Sequence, residues 1–321
     1  MNPQLMTRIL FPTDFSDCSG RAQEYAMYLA TAWDAEVDVL HVIEASGWME
    51  INVPALPGIE QVRRGIAGRL DVVHHEMTRS GIAASVRELI GTPSEQISRV
   101  ARESGTDLVV LGARGRTNLL YGLVGSTAER VIKEGPCPIL AVPGLGDEAA
   151  RPIAQTPPSV PIRHILAPID FSSPSLDSLE YAIQVANGLG SKVTVMHVLE
   201  PVYYDLECGL GSIEHEVRKR DHWKKQLMEL RDLVRSFGLS AEYELSGGIP
   251  SESILSCALR IGCDLIVMGT HGRRGISRWR FGSVAESVLR RATCPVLTVK
   301  TPKFAPGHPR LVREETVEST P

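Results

Sequence analysis

Leu108-Val109-Val110-Leu111-Gly112-Ala113-Arg114-Gly115 is followed by nine residues and then by Gly125-Ser126-Thr127-Ala128-Glu129. The leading run is apolar at every position. That suits a central strand covered on both faces of a parallel sheet. The trailing run opens a helix. A strand, a glycine turn and a helix start form a backbone able to cradle an anion, because the first helical N–H groups lack intrahelical partners and the helix dipole favours negative charge. Gly112 and Gly115 also allow a ligand to approach the backbone closely.

The same pattern occurs a second time. Leu265-Ile266-Val267-Met268-Gly269-Thr270-His271-Gly272 precedes nine residues and Gly282-Ser283-Val284-Ala285-Glu286. Outward from these loops, the whole chain repeats. Pro12-Thr13-Asp14-Phe15-Ser16 returns as Pro168-Ile169-Asp170-Phe171-Ser172, and His41-Val42 as His197-Val198, both offset by 156 residues. Pro93-Ser94-Glu95 returns as Pro250-Ser251-Glu252 and Cys137-Pro138 as Cys294-Pro295, offset by 157. The second half has therefore gained one residue between His197 and Pro250. So long a period marks two duplicated domains rather than a solenoid.

Within each half, strand and helix patterns alternate. Short β-rich runs at Arg8 to Pro12, Val37 to Ile43, Ala84 to Ile90, Leu108 to Leu111 and Ile139 to Val142 are separated by helical spacings. Ala22, Tyr25, Ala26, Leu29, Ala30 and Trp33 share one helical face. A helix is expected over about Glu60 to Ser80, one from the capping-box sequence Thr92-Pro93-Ser94-Glu95 to about Ser104, and one from Ser126 to about Glu134. Such alternation predicts two doubly wound α/β domains, each a five-stranded parallel sheet with helices on both faces. The domains are expected at 1–143 and 162–300. The proline-bearing stretch 144–161 reads as a linker and 301–321 as a disordered tail. In such sheets ligands lie beyond the carboxyl ends of the strands, where the strand order reverses. Asp14 and Asp170 follow the first strand of each half, and the glycine loops follow the fourth. Both would meet at one crevice if strands one and four are neighbours.

A structural alternative exists for each feature. Ser126-Thr127-Ala128-Glu129 and Ser283-Val284-Ala285-Glu286 have the form of capping boxes, so these serines could serve helix ends alone. Asp14 and Asp170 could cap the following helices. His41 and His197 read as core histidines. The run Arg218-Lys219-Arg220 with Lys224-Lys225 reads as a solvated helix face.

Composition sets further bounds. With 43% hydrophobic and 22% charged residues, the chain is of ordinary globular type. The net charge of −4 supplies no global basic field for nucleic acid. No apolar run approaches the roughly 20 residues that span a bilayer. Met1 to Ile9 lacks the apolar region of a signal peptide, so a cytoplasmic protein is expected. The cysteines, Cys18, Cys137, Cys208, Cys257, Cys263 and Cys294, form no Cys-x-x-Cys pair and read as small buried thiols. No His or Cys cluster has metal-ligand spacing.

The arrangement Gly-x2-Gly-x9-Gly-Ser, with Pro-x-Asp-Phe-Ser after the first strand and His-Val closing the second, resembles the ATP-binding branch of the universal stress protein family. The resemblance covers nearly all of both halves. It implies a Rossmann-like fold of the adenine nucleotide alpha hydrolase type, with an adenine nucleotide, ATP with Mg²⁺, in each crevice. Carried over position by position, Asp14 and Val42 would contact adenosine, and Gly112, Gly115, Gly125, Ser126 and Thr127 would hold ribose and phosphates. The second site would use Asp170, Val198, Gly269, Gly272, Gly282, Ser283 and Val284. The halves depart from each other at Arg114 against His271 and at Thr13 against Ile169. The family also implies closure of the last strands, Ile139 to Val142 with Val296 to Val299, as an intrachain pseudo-dimer. Association of two chains into a homodimer would be a further step.

No Gly-x4-Gly-Lys-[Ser/Thr] loop, Gly-x-Gly-x-x-Gly turn or Gly-x-Ser-x-Gly elbow is present. No residue declares itself a general base. A nucleotide-binding stress-response and regulatory protein is therefore the first reading. A slow ATPase or autokinase using the same loops, and an interaction module without nucleotide, are the alternatives.

Overall fold

A computed structural model describes residues 6–44, 59–115, 124–144, 161–200, 211–271 and 282–300. The expected linker core, the tail, Gly272, Cys208 and the arginines at 116, 273, 274, 278 and 280 lie outside the described residues.

The chain divides into two compact units of the same design. The first runs β1 (Arg8–Pro12), α1 (Asp17–Trp33), β2 (Glu36–Glu44), α2 (Ile59–Arg79), β3 (Ala84–Gly91), α3 (Pro93–Glu103), β4 (Leu108–Gly112), α4 (Ser126–Glu134) and β5 (Ile139–Val142). The second runs β6 (His164–Pro168), α5 (Ser173–Leu189), β7 (Lys192–Leu199), α6 (Gly211–Ser236), β8 (Ala241–Gly247), α7 (Pro250–Ile261), β9 (Leu265–Gly269), α8 (Ser283–Arg291) and β10 (Val296–Val299). Each is a doubly wound α/β domain with a five-stranded parallel sheet, as the alternating pattern predicts.

Strand order in the first unit is β3-β2-β1-β4-β5, every pair parallel. The second unit has the equivalent order β8-β7-β6-β9-β10. The chain leaves β1 in one direction through β2 and β3, then returns to the other side of β1 as β4. Right-handed crossovers therefore place α1 and α2 on one face and α3 and α4 on the other. α1 packs on β1 and β4, α2 on β3, and α3 on α4. The central strands lose all contact with solvent: Ile9, Leu10, Phe11, Val109 and Val110 are fully buried, as are Ile165, Leu166, Ala167, Ile266 and Val267. That burial explains why these strands carry no polar alternation.

A carboxylate clasps the back of each sheet. Asp107 accepts from the backbone N–H groups of Thr7 (2.9 Å) and Arg8 (3.0 Å). Asp264 accepts from those of Arg163 and His164, both at 2.9 Å. These bonds fix the stagger between strands one and four, whose other ends carry the candidate site.

The residue gained by the second half can be placed more closely. The buried face of α2, at Leu70, Val73 and Met77, matches Leu227, Leu230 and Val234 of α6, already at an offset of 157. The gain therefore falls between the end of β7 and the middle of α6.

Candidate functional site

Asp14 leaves β1 and enters a turn that the chain holds under strain. Phe15 has φ 59° and Phe171 has φ 63°, a left-handed backbone that bulky residues rarely adopt. Hydrogen bonds of the turn compensate. Asp14 Oδ1 accepts from Ser16 N (3.0 Å) and Ser16 Oγ (2.6 Å), and Thr13 Oγ1 accepts from Phe15 N (3.0 Å). Asp170 Oδ1 likewise accepts from Ser172 N (3.0 Å) and Ser172 Oγ (2.5 Å). Repeated strain of this kind marks a turn whose shape is needed.

The capping alternative for these aspartates fails. The N-caps of α1 and α5 are Ser16 and Ser172. Each aspartate stands two residues earlier and grips the cap through Oδ1. In the first unit Asp14 Oδ2 faces the glycine loop: a Cβ added at Gly115 would lie 3.1 Å from it. The strand-one carboxylate and the strand-four loop thus meet, because β1 and β4 are neighbours.

The glycines of the loop have separate duties. A Cβ at Gly112 would lie 3.0 Å from the Cys18 carbonyl carbon and 3.1 Å from Ser19 N. Gly112 therefore lets the end of β4 sit against the first turn of α1. Gly269 does the same against Pro174, whose carbonyl oxygen would be 3.0 Å away. Gly125 faces inward over the turn, 3.5 Å from Gly115 N by the same measure, and its N–H donates to Ala113 O at 2.8 Å. Gly282 N donates to Thr270 O at 2.9 Å. Among the described residues, these backbone bonds join the two ends of each loop.

The capping-box expectation is also corrected. Gly125 and Gly282 are the N-caps of α4 and α8, in extended conformation and with no side-chain cap bond. Ser126 and Ser283 are already helical and exposed. Glu129 turns away to pair with Lys133 (2.5 Å), and Glu286 with Arg290 (2.6 Å). With Gly125 and Gly282 as the N-caps, each glutamate stands four residues after its cap, out of register for a capping box. Each helix start keeps its first N–H groups without a side-chain cap. In α3, Thr92 is the expected N-cap before Pro93, yet it too makes no side-chain cap bond.

Val42 and Val198 lie half-buried at the ends of β2 and β7, beside the strained turns. The preceding histidines tie those strands to the turns. His41 Nδ1 donates to Thr13 O (2.8 Å) and His197 Nδ1 to Ile169 O (2.7 Å); a carbonyl only accepts, so Nδ1 carries the proton. Both rings are buried and both touch the strained phenylalanine, at centroid distances of 4.8 and 5.0 Å.

Two residues near the site escaped the sequence reading. The Arg69 guanidinium lies 4.2 Å from the Phe15 ring centroid and donates to Phe15 O at 3.3 Å. In the second unit Trp223 stacks on Phe171 at 4.7 Å. Both sit on long helices far along the chain, and no local signal marks them. The Thr13 and Ile169 difference has a structural counterpart. Ile169 cannot hold the turn by a hydroxyl, and Asp170 N donates to Ser175 Oγ at 3.3 Å instead.

Cys18, behind Gly112, donates to Val142 O at 3.2 Å, and burial pushes its thiol pKa up. It is a packing residue. Cys18, Cys137 and Cys257 are buried as expected, whereas Cys263 and Cys294 are only half-buried. Arg218, Arg220, Lys224 and Lys225 are exposed, as a solvated helix face requires. Among the described residues no group of three or more His, Cys, Asp or Glu could hold a metal ion, and no helix is long and apolar enough to cross a membrane.

A sequence profile of the universal stress protein family matches residues 6–143 and again residues 161–300. The chain belongs to the universal stress protein family. It carries two universal stress protein domains in tandem. A universal stress protein of Methanocaldococcus jannaschii is 34% identical over 143 residues, covering 44% of this chain and 84% of that protein. One from Synechocystis is 24% identical and covers 92% of this chain and all of its own length, so the tandem arrangement is shared. The crystal structure of a universal stress protein from Archaeoglobus fulgidus superposes with a TM-score of 0.65 at 22% identity, over 91% of this chain and 96% of that one. That likeness concerns the fold.

Proposed function

We propose that each universal stress protein domain, 1–143 and 162–300, binds one adenine nucleotide, ATP with Mg²⁺, as a ligand that biases a regulatory protein of the cytoplasm. The observation that carries the reading is the meeting of Asp14 with the glycine loop, 3.1 Å from a Cβ position at Gly115. A carboxylate beside a closed backbone turn and an uncapped helix start suits a nucleoside phosphate at both ends. The carboxylate accepts from ribose or base, and the helix N–H groups take phosphate oxygens.

Bound ATP would supply a polyanion whose charge is shared with its Mg²⁺. Ser126 and Thr127 would add hydroxyl donors at the start of α4, and Val42 an apolar contact for the base. Gly115 and Gly125 leave room for the phosphates, while Gly112 serves the site by letting β4 meet α1. Asp170, Val198, Gly269, Gly272, Gly282, Ser283 and Val284 form the second site on the same plan. The nucleotide shifts a conformational equilibrium only by binding one state more tightly.

Calorimetry on nucleotide-free protein tests this reading. Two ATP per chain are expected for the wild type and one for Asp14→Asn or Asp170→Asn. The amide keeps the Oδ1 acceptor for the serine cap and removes only charge and the second acceptor. Absence of ATP binding to the wild type would overturn the proposal. In single-turnover incubations with labelled ATP, the nucleotide is expected back intact with no labelled protein.

A further inference from the structure

Cys263 and Cys294 come from different loops of the second unit and bring their sulfurs to 3.7 Å. Cys263 lies between the α7 cap Gly262 and β9, with its N–H donating to Ala258 O at 3.0 Å. Cys294 lies between α8 and β10, just before Pro295, whose carbonyl accepts from Ile266 N at 3.0 Å. The two loops are held side by side because β9 and β10 are paired neighbours. Adjacent strands run about 5 Å apart, within the Cα separation that a disulfide spans. Both residues are half-buried rather than sealed in the core.

We propose that Cys263 and Cys294 form a reversible peroxide-sensing dithiol, oxidised by hydrogen peroxide or a small organic hydroperoxide to an intradomain disulfide. The Cys294 thiolate attacks the peroxide O–O bond. An S–O bond forms, the O–O bond breaks, and the departing hydroxide takes a proton as water, or alkoxide from an organic hydroperoxide takes one as an alcohol. Cys263, having lost its proton, then attacks Cys294 Sγ. The S–S bond forms, the S–O bond breaks, and hydroxide leaves with that proton as a second water. Two electrons from the two thiols reduce one peroxide.

The surroundings assign the roles. The hydrogen bond that the two sulfurs share lowers the Cys294 pKa, and the backbone N–H groups of Cys294 and Ile266 act in the same direction, against burial and the charge of Asp264. The same bond, with burial, raises the Cys263 pKa. Cys294 is thus the attacking sulfur and Cys263 the resolving one. The charge of Asp264, next to them, raises both thiol pKa values, while its carboxylate accepts from Arg163 N and His164 N. The duplication supplies an internal control. At the offset of 157, the first unit carries Thr106 and Cys137, a hydroxyl beside a thiol, so only the second unit has both sulfurs. The site lies at the opposite ends of the strands from the glycine loop and does not depend on nucleotide.

The test is peptide mapping of full-length reduced protein after a small excess of hydrogen peroxide, without reductant in the digest. The expected result is an intact mass lower by about 2 Da, the two hydrogens lost per S–S bond, a peptide joining Cys263 to Cys294, and reversal by a dithiol reductant. Cys263→Thr, the residue of the first unit, should lose the linked peptide and leave Cys294 as a sulfenic acid trapped by dimedone. A linkage through Cys257 or any other cysteine, or Cys294 oxidised past sulfenic acid in the wild type while Cys263 stays reduced, would overturn the proposal. So would unreacted thiols under conditions that oxidise a free cysteine.

Discussion

Gly112 and Gly115 stand three residues apart and answer to different neighbours. A methyl at Gly112 meets backbone atoms of Cys18 and Ser19 that cannot move without shifting α1. Gly112→Ala is therefore expected to destabilise the first domain by about 1–3 kcal/mol, as overpacking does, read as a lower midpoint in denaturant. Among the described residues, a methyl at Gly115 meets one oxygen at the end of the Asp14 side chain and no backbone atom. Gly115→Ala should leave stability near wild type and remove one ATP from the calorimetric stoichiometry. If Gly115→Ala unfolds the domain as Gly112→Ala does, the division of duties is wrong. The motif spacing was visible in the sequence, but not this division. It depends on what faces each Cα across the fold.

At the scale of elements, the duplicated helix starts differ in a way that can be measured. Ser16 Oγ accepts from Ser19 N at 3.2 Å and so caps α1, while Ser172 makes no such bond in α5. Ser16→Ala should cost about 1 kcal/mol in urea unfolding, and Ser172→Ala less. Equal losses would contradict the cap assignment.

The strand β6 carries a pH response. Burial, then the charge of Lys192, pushes the His164 pKa below its ordinary value. The folded state then prefers the neutral ring. Its stabilising effect is present above the ordinary pKa, near 6.5, and is lost as pH falls below that value through the folded one. Melting temperature should drop more steeply on acidification in the wild type than in His164→Gln.

Element existence was readable from periodicity because burial of one helical face, or of both strand faces, leaves a mark on residue choice. The alternative that Ser126 and Ser283 serve as capping boxes does not hold, because Gly125 and Gly282 are the N-caps. A Ser-x-x-Glu spacing cannot say whether the glutamate turns back to the helix start or forward to Lys133 or Arg290. Arg69 and Trp223 were invisible for a related reason: their contacts with Phe15 and Phe171 join elements distant in sequence.

For the whole molecule, the two halves are alike in plan and unlike in detail. Thr13 and Ile169, and Arg114 and His271, differ at matching positions, and the phenylalanine of the turn meets Arg69 in one half and Trp223 in the other. Two ATP affinities separated by at least several-fold are expected in a titration of the wild type, with Asp14→Asn and Asp170→Asn each removing a different one. A single affinity shared by both sites would show that these differences carry no energy.

The sequence by itself determined the duplication, the alternation of strands and helices, and the family to which the chain belongs. These are properties of periodicity and spacing, which local burial and turn chemistry write directly into residue order. Tertiary structure alone decided that β1 lies beside β4, which brings Asp14 to the glycine loop. It also decided that Gly112 serves packing rather than openness, and that Cys263 meets Cys294 across neighbouring strands. Each of these depends on which distant segments the sheet places side by side, and strand order is set by the packing of the whole domain rather than by any one stretch of chain.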